Sequence, residues 1–246
     1  SGDSLKYFED TTAGMGYVRA TTIETQVNLL SDWTQLGSDI DGDSEGDQLL
    51  SSALSSDGLT LAYGSYTNKY VRVKRYIDGS WINIGNKITG TAYFGSLYVS
   101  LSSDGNTLTA NTTSWPPSDD TKYVNVYRYN SETDYWDQLG STITSDDTGF
   151  NFAIKLSGDG NTVAVTKVKS GASGASVYQY DSYTSSWVQK GDDLTGSVVY
   201  TAGNYEYWGF SVDMTNDGST VVVGGGQSFM GVYIYDNNSD SWSLKG

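Results

Sequence analysis

Tryptophan recurs at positions 33, 81, 136, 187 and 242, spaced 48, 55, 51 and 55 residues apart, each time opening a short segment that closes on glycine. The segments read Trp33-Thr-Gln-Leu-Gly37, Trp81-Ile-Asn-Ile-Gly85, Trp136-Asp-Gln-Leu-Gly140, Trp187-Val-Gln-Lys-Gly191 and Trp242-Ser-Leu-Lys-Gly246. Most alternate apolar and polar residues, the period of a half-buried strand. Self-similarity at a spacing of this size restricts the chain to a repeat architecture, in which each unit leaves an apolar face for its neighbour to cover.

A second marker lies inside each interval: Leu54-Ser-Ser-Asp57-Gly58, Leu101-Ser-Ser-Asp104-Gly105, Leu156-Ser-Gly-Asp159-Gly160 and Met214-Thr-Asn-Asp217-Gly218. Asp-Gly between two apolar runs signals a hairpin, because both residues tolerate positive φ. A strand follows each turn, as in Thr107-Leu-Thr-Ala110, Thr162-Val-Ala-Val165 and Thr220-Val-Val-Val223. A third strand carries Val73, Val126, Val177 and Val232 in register with Tyr76, Tyr129, Tyr180 and Tyr235, and the Trp segment closes the unit.

Four antiparallel strands per repeat form a meander that exposes one apolar face, and radial stacking of such sheets is the β-propeller. The expected fold is all-β: one domain over 1–246, a five-bladed propeller with blades near 5–37, 46–85, 94–140, 149–191 and 208–246. The N-terminal blade is degenerate, with Ala13-Gly14 standing where Asp-Gly would be. On the innermost strands, Leu54, Leu101, Leu156 and Met214 should pack between blades, with Ser52, Val99, Ile154 and Val212 beside them. Ala53, Ser100, Lys155 and Asp213 alternate with these and should lie near the axis.

The hairpins Tyr129-Asn-Ser-Glu-Thr-Asp-Tyr-Trp136, Tyr180-Asp-Ser-Tyr-Thr-Ser-Ser-Trp187 and Tyr235-Asp-Asn-Asn-Ser-Asp-Ser-Trp242 resemble kelch repeats, and Gly224-Gly225 resembles the kelch double glycine, which the other repeats lack. The Leu-Ser-Ser-Asp-Gly-Asn-Thr-Leu stretch around Asp104 resembles the turn of bacterial WD-repeat-like and TolB-like propellers. Trp-x-Gln-Leu-Gly followed by Phe94-Gly95 or Trp208-Gly209 resembles the repeats of large secreted proteins of marine bacteria and algae. These resemblances cover residues 33–246 and imply a propeller in an extracellular or cell-surface setting.

The net charge of −15, with 24 Asp against 5 Glu, opposes binding to nucleic acid and to anionic membrane surfaces. No run approaches the ~20 apolar residues of a membrane-spanning helix. With no Cys and no His, the chain has no thiolate nucleophile, no imidazole base and no His- or Cys-ligated metal.

Three constellations remain. Glu9, Lys155 and Asp213 fall at equivalent positions of the innermost strands. They form either an acid/base set modulated by a cation, as in carboxylate-dependent glycosidases, or an ion pair between adjacent blades. An open funnel with Glu9 and Asp213 ~5–10 Å apart would favour the enzyme; a Lys155–Asp213 pair over a plugged channel would speak against it. Asp39, Asp41, Asp43, Glu45 and Asp47 alternate carboxylates with small residues, a spacing that offers oxygen ligands to Ca²⁺ or simply makes a solvated acidic turn. Trp115, Tyr200, Tyr205, Tyr207 and Trp208 lie on the long connections of one propeller face, where they would stack on sugar rings or pack beneath their own loops.

The expected function is therefore a non-catalytic extracellular binding or adhesion module, not an enzyme, that recognises a glycan or a protein through these loops with Ca²⁺ assisting. It would be a monomer unless part of a longer array. A carbohydrate-active enzyme using axial carboxylates, or a structural repeat module without a small ligand, is the alternative.

Overall fold

In the computed structural model, residues 34–89, 98–113, 122–145, 153–169, 172–195, 211–225 and 229–245 are described. Within them lie nineteen strands and no helix. The first sheet is built from β1 (Leu49–Leu54), β2 (Thr60–Ser65), β3 (Tyr70–Ile77), β4 (Ser80–Asn83) and β5 (Ile88–Thr89); the second from β6 (Val99–Leu101), β7 (Thr107–Thr113), β8 (Lys122–Asn130), β9 (Tyr135–Gln138) and β10 (Ile143–Ser145). The third comprises β11 (Ile154–Leu156), β12 (Thr162–Lys169), β13 (Ala172–Asp181), β14 (Ser186–Gln189) and β15 (Leu194–Thr195), and the fourth β16 (Ser211–Met214), β17 (Thr220–Gly225), β18 (Phe229–Asp236) and β19 (Ser241–Leu244).

Each sheet is an antiparallel meander, and the innermost strands β1, β6, β11 and β16 neighbour one another in succession, the layout of propeller blades. These blades lie in a compact unit of residues 39–246; a second unit, 1–38, contains the fifth expected blade, and its residues 1–33 lie outside the described ones. In the first three blades the outermost strand is split. The Trp segment pairs with the far half of the third strand, the chain passes through Gly85, Gly140 or Gly191 at φ 67–72°, and a short second piece pairs with the near half.

The Asp-Gly turn is built the same way four times. Ser55 Oγ donates to Asp57 Oδ1 at 2.6 Å and accepts from Thr60 N at 2.9 Å, while Leu59 N donates to the same carboxylate oxygen at 2.9 Å. Ser102 with Asp104, Ser157 with Asp159 and Thr215 with Asp217 repeat it at 2.6, 2.5 and 2.5 Å. The glycine serves two ends. It supplies the left-handed φ the turn needs, and it leaves room for the neighbouring blade, since a Cβ on Gly105, Gly160 or Gly218 would lie 2.6–2.8 Å from Cβ of Thr60, Thr107 or Thr162.

The core lies between the sheets. Val71 and Val73 meet Val99, Leu101 and Leu108; Val124 and Val126 meet Ile154, Leu156 and Val163; Ala175 and Val177 meet Val221 and Val223. The predicted packing positions on β6 and β11 are accordingly buried. Leu54 departs from the pattern at 55% exposure, because it sits on the face of the first blade that no other described sheet covers.

The repeated tryptophans fasten one blade to the next. Trp136, Trp187 and Trp242 donate through Nε1 to the main-chain oxygens of Ile84, Leu139 and Lys190 in the blade before, at 3.1, 2.8 and 2.7 Å. Each also packs on the tyrosine of its own hairpin with ring centres 5.0–5.4 Å apart. Removing three carbonyls and three indole N–H groups from water in pairs avoids the cost of leaving them buried and unmatched.

Candidate functional site

At the turn end of the inner strands the blades touch through their main chains. Ser56 N donates to Ser103 O at 3.0 Å, Ser103 N to Gly158 O at 2.9 Å, and Asp159 N to Asn216 O at 3.2 Å. Gly158 takes the place of the serine found in the first two turns because a Cβ there would lie 2.5 Å from Ser103 Oγ and 2.7 Å from Asn216 Oδ1. Contacts this close draw the turns together at that end.

The titratable groups of the inner strands sit above these turns. Lys155 on β11 and Asp213 on β16 form an ion pair between adjacent blades, Nζ to Oδ1 2.7 Å, with side chains 38% and 65% exposed. The equivalent positions on β1 and β6 hold Ala53 and Ser100, and Ser100 Oγ accepts from Leu156 N at 3.0 Å. The sequence thus places a cation and a carboxylate within reach of solvent on one side of the inner ring and small residues on the other. Glu9, the third member of the expected set, lies outside the described residues.

The acidic loop before β1 is drawn into the first blade by donors distant in sequence. Asp43 pairs with Lys87 Nζ at 2.8 Å and Arg72 Nη2 at 3.2 Å, and chiefly the Lys87 hydrogen bond holds its carboxyl below the usual range. Burial pushes the Asp47 carboxyl up, but donation from Ser65, from Tyr70 and from Asn68 outweighs it and holds the group low. Tyr70 Oη donates to Asp47 Oδ2 at 2.5 Å and accepts from Asp43 N at 2.9 Å; burial, with the Asp47 contact second, pushes this phenol up to about 12. Asp39, Asp41 and Glu45 do not join these two carboxylates: among the described residues no three acidic side chains come together as a group able to hold a metal ion.

A third feature was not among the sequence-predicted residues. Lys167 on β12 pairs with Asp193, which also accepts from Ser176 Oγ at 2.7 Å and Gln189 Nε2 at 3.1 Å. Burial raises the Asp193 carboxyl, and hydrogen bonds from Lys167 and Ser176 more than offset it. Beside Lys167 and Ser176 lies a crevice of about 10 Å³ between the second and third blades, walled by Val124, Ile143, Val165 and Tyr178. It has room for about one water and none for a sugar. The aromatic set Trp115, Tyr200, Tyr205, Tyr207 and Trp208 lies wholly outside the described residues.

No model of a known protein family matches the chain, and no curated protein matches it. Solved structures do. A putative 6-phosphogluconolactonase from Bacteroides uniformis superposes with a TM-score of 0.55 at 14% identity over 85% of this chain and 57% of that one. A second protein bearing that name, from Bacteroides fragilis, gives 0.53 at 15% identity over the same 85% and 57%. A protein of unknown function from Desulfotomaculum acetoxidans gives 0.51 at 15% identity over 81% and 55%. The chain therefore spans little more than half the length of these proteins. The likeness carries the fold, an all-β propeller, without singling out kelch repeats.

The comparisons correct the functional expectation. Two of these three similar structures bear an enzyme's name, and none of the three is named as a module that recognises a glycan or a protein. The reading of this chain as a non-catalytic binding or adhesion module, and as not an enzyme, is set aside on that ground. The physical reason it was drawn is plain: the missing histidine and cysteine remove the commonest catalytic groups, but carboxylate and ammonium chemistry needs neither.

Proposed function

We propose that the inner end of the blades is a carbohydrate-active hydrolytic site that opens an ester or lactone of a sugar acid. Lys155 and Asp213 are paired, 2.7 Å apart on the inner strands of adjacent blades, the arrangement expected to count against catalysis over a plugged channel; the observation that carries the proposal is that both side chains stay open to solvent, 38% and 65% exposed. Cleaving a lactone takes a base for water and a positive group for the oxygen that gains charge. Asp213 would accept a proton as water adds to the carbonyl carbon, and Lys155 would stabilise the oxyanion and hold an anionic substituent of the substrate. The ring C–O bond then breaks and the proton passes to the departing alkoxide. Glycoside cleavage commonly needs two flanking carboxylates, and Asp213 is the one carboxylate at the equivalent inner-strand positions of the four described blades. Lactone opening is thus the better fit to this site. The name borne by the two Bacteroides proteins supports the same substrate class.

The test is proton release on adding 6-phosphogluconolactone, an unphosphorylated aldonolactone or an aryl glycoside, for the parent chain, Lys155→Met and Asp213→Asn. Acceleration over buffer with a lactone that both variants abolish is the expected result. Equal rates for parent, variants and buffer with every substrate would end this reading. A second reading would then stand, a structural repeat module without a small ligand, which the same ion pair favours because it links β11 to β16 directly.

A further inference from the structure

Six Asp-Gly pairs occur in the chain, at 41–42, 57–58, 78–79, 104–105, 159–160 and 217–218. Such a pair is open to one backbone reaction, because glycine has no side chain to shield its nitrogen from the carboxyl before it. Four of the six are the repeated turns at the inner strands, and there both reactants are tied. The aspartate Oδ1 accepts from a hydroxyl two residues earlier and from a main-chain N–H two residues later, at 2.5–3.0 Å. The glycine N–H donates to the main-chain oxygen of Ser55, Ser102, Ser157 or Thr215 at 2.9–3.0 Å. The fifth pair is held by packing: a Cβ on Gly42 would lie 2.4 Å from Cβ of Asp47, and the next N–H, that of Asp43, donates to Asp47 Oδ2 at 3.0 Å and to Tyr70 Oη at 2.9 Å.

Asp78 and Gly79 stand apart. Ile77 pairs with Ser80, so these two residues are the whole turn between β3 and β4, with φ of 48° and 84°. Both are exposed, and a Cβ on Gly79 would meet nothing within 4 Å. Among the described residues no hydrogen bond or ion pair engages the Asp78 carboxyl or the Gly79 N–H. Bringing this nitrogen to this carboxyl carbon rearranges a surface turn and nothing else, whereas in the other five pairs it breaks bonds that shape the inner turns or anchor the acidic loop.

We propose that Asp78 is a modification site, the aspartate that the folded chain converts to isoaspartate through a cyclic imide with Gly79. The Gly79 nitrogen bonds to Cγ of the protonated Asp78 carboxyl, and the amide hydrogen and the carboxyl hydroxyl leave as water, closing a five-membered ring. A second water then adds to one of the two ring carbonyls and breaks its C–N bond. One outcome restores aspartate; the other leaves the backbone running through Cβ and Cγ, at unchanged mass and with no change of oxidation state. The longer backbone disturbs the register of Tyr76 with Trp81 just behind the turn, whose ring centres are 5.3 Å apart.

The test holds the folded chain and the chain unfolded in guanidinium chloride side by side in one mildly acidic buffer until the unfolded chain has formed isoaspartate. Peptide mapping with electron-transfer fragmentation then locates the product, since it distinguishes the two linkages at equal mass. The unfolded chain should react at all six pairs. In the folded chain Asp78 should react at least about tenfold faster than each of the other five, which must first give up hydrogen bonds. Gly79→Ala, whose methyl shields the nitrogen, should fold and form no isoaspartate at 78. Equal rates at Asp78 and at any inner turn of the folded chain, or no product at Asp78 of the folded chain, overturn the proposal.

Discussion

The indole Nε1 of Trp187 donates to the main-chain oxygen of Leu139 at 2.8 Å, across the seam between the second and third blades. The ring itself is 8% exposed and packs with Val163, Val165, Ile154 and Leu156. Two contributions are therefore separable. Trp187→Phe keeps most of the apolar contact and leaves the Leu139 carbonyl unmatched, which should cost about 1–2 kcal/mol. Trp187→Ala also opens a cavity at the seam and should cost about 3–5 kcal/mol. Urea unfolding at pH 7 measures both, and equal losses for the two variants would mean that the ring contributes nothing beyond its hydrogen bond.

Gly160 and Gly79 both have left-handed φ, 73° and 84°, but only one is crowded. A Cβ on Gly79 meets nothing within 4 Å, whereas one on Gly160 would lie 2.8 Å from Cβ and Oγ1 of Thr107 in the preceding blade. Gly79→Ala should therefore lose about 1–2 kcal/mol, the conformational cost alone. Gly160→Ala should lose a further 1–3 kcal/mol or so from overpacking. Thermal melts of the two variants side by side check this; a loss at Gly160 no larger than at Gly79 would show that the turn, and not the docking of blades, fixes the glycine.

Much of this was legible in the sequence because the determinants are local. The Ser or Thr two residues before each turn aspartate, the Asp-Gly pair and the threonine two residues beyond it lie within six residues, so their chemistry can be read as a unit. The split outer strand was equally local, since Gly-x-x-Ile-Thr and Gly-x-x-Leu-Thr recur after the Trp segments, but the pattern is polar apart from one residue and shows no period to announce a strand. The surroundings of Asp43 were beyond reach for a different reason. Its partners Arg72 and Lys87 lie 29 and 44 residues away and meet it only once the third strand and the return piece are in place. The Lys155–Asp213 pair was visible as two equivalent positions of the repeat, and its closeness required the blades to stack.

Acid should weaken the fold through the same turns. Hydrogen bonds from Thr215 first, then from the main chain and hydroxyl of Ser219, hold the Asp217 carboxyl down to about 2 from an ordinary 3.8. A group depressed in this way stabilises the folded chain fully above its unfolded value and loses that contribution as pH falls through its folded value. The window thus runs from about pH 4 down to about 2. Asp57 and Asp104 are lowered as well, Asp57 mainly by Ser55, and Asp104 by Ser102 and Asn106 against the opposing effect of burial. Melting temperatures measured from pH 6 to pH 2 should fall most steeply below pH 4, and Asp217→Asn should flatten the lower part of that curve. A melting temperature independent of pH across the window would contradict the turn chemistry.

Stability and activity should part company at Lys155 and Asp213. The pair is substantially exposed, 38% and 65%, so solvent screens it and its breakage should cost no more than about 1 kcal/mol. Asp213→Asn keeps the side-chain shape and Lys155→Met keeps most of the aliphatic length, so neither should disturb the packing of Leu156 or Val212 on either side. If the two groups perform the proposed hydrolysis, both variants fold as the parent does and hydrolyse no lactone. A double variant should then be no worse than either single one, because a base without its oxyanion partner and the partner without its base are both already idle. Non-additive losses in stability, the double variant costing no more than either single one, with no change in hydrolysis would instead mark the pair as a link between blades and nothing more, since the mutual attraction of two groups in contact is already lost when either is removed.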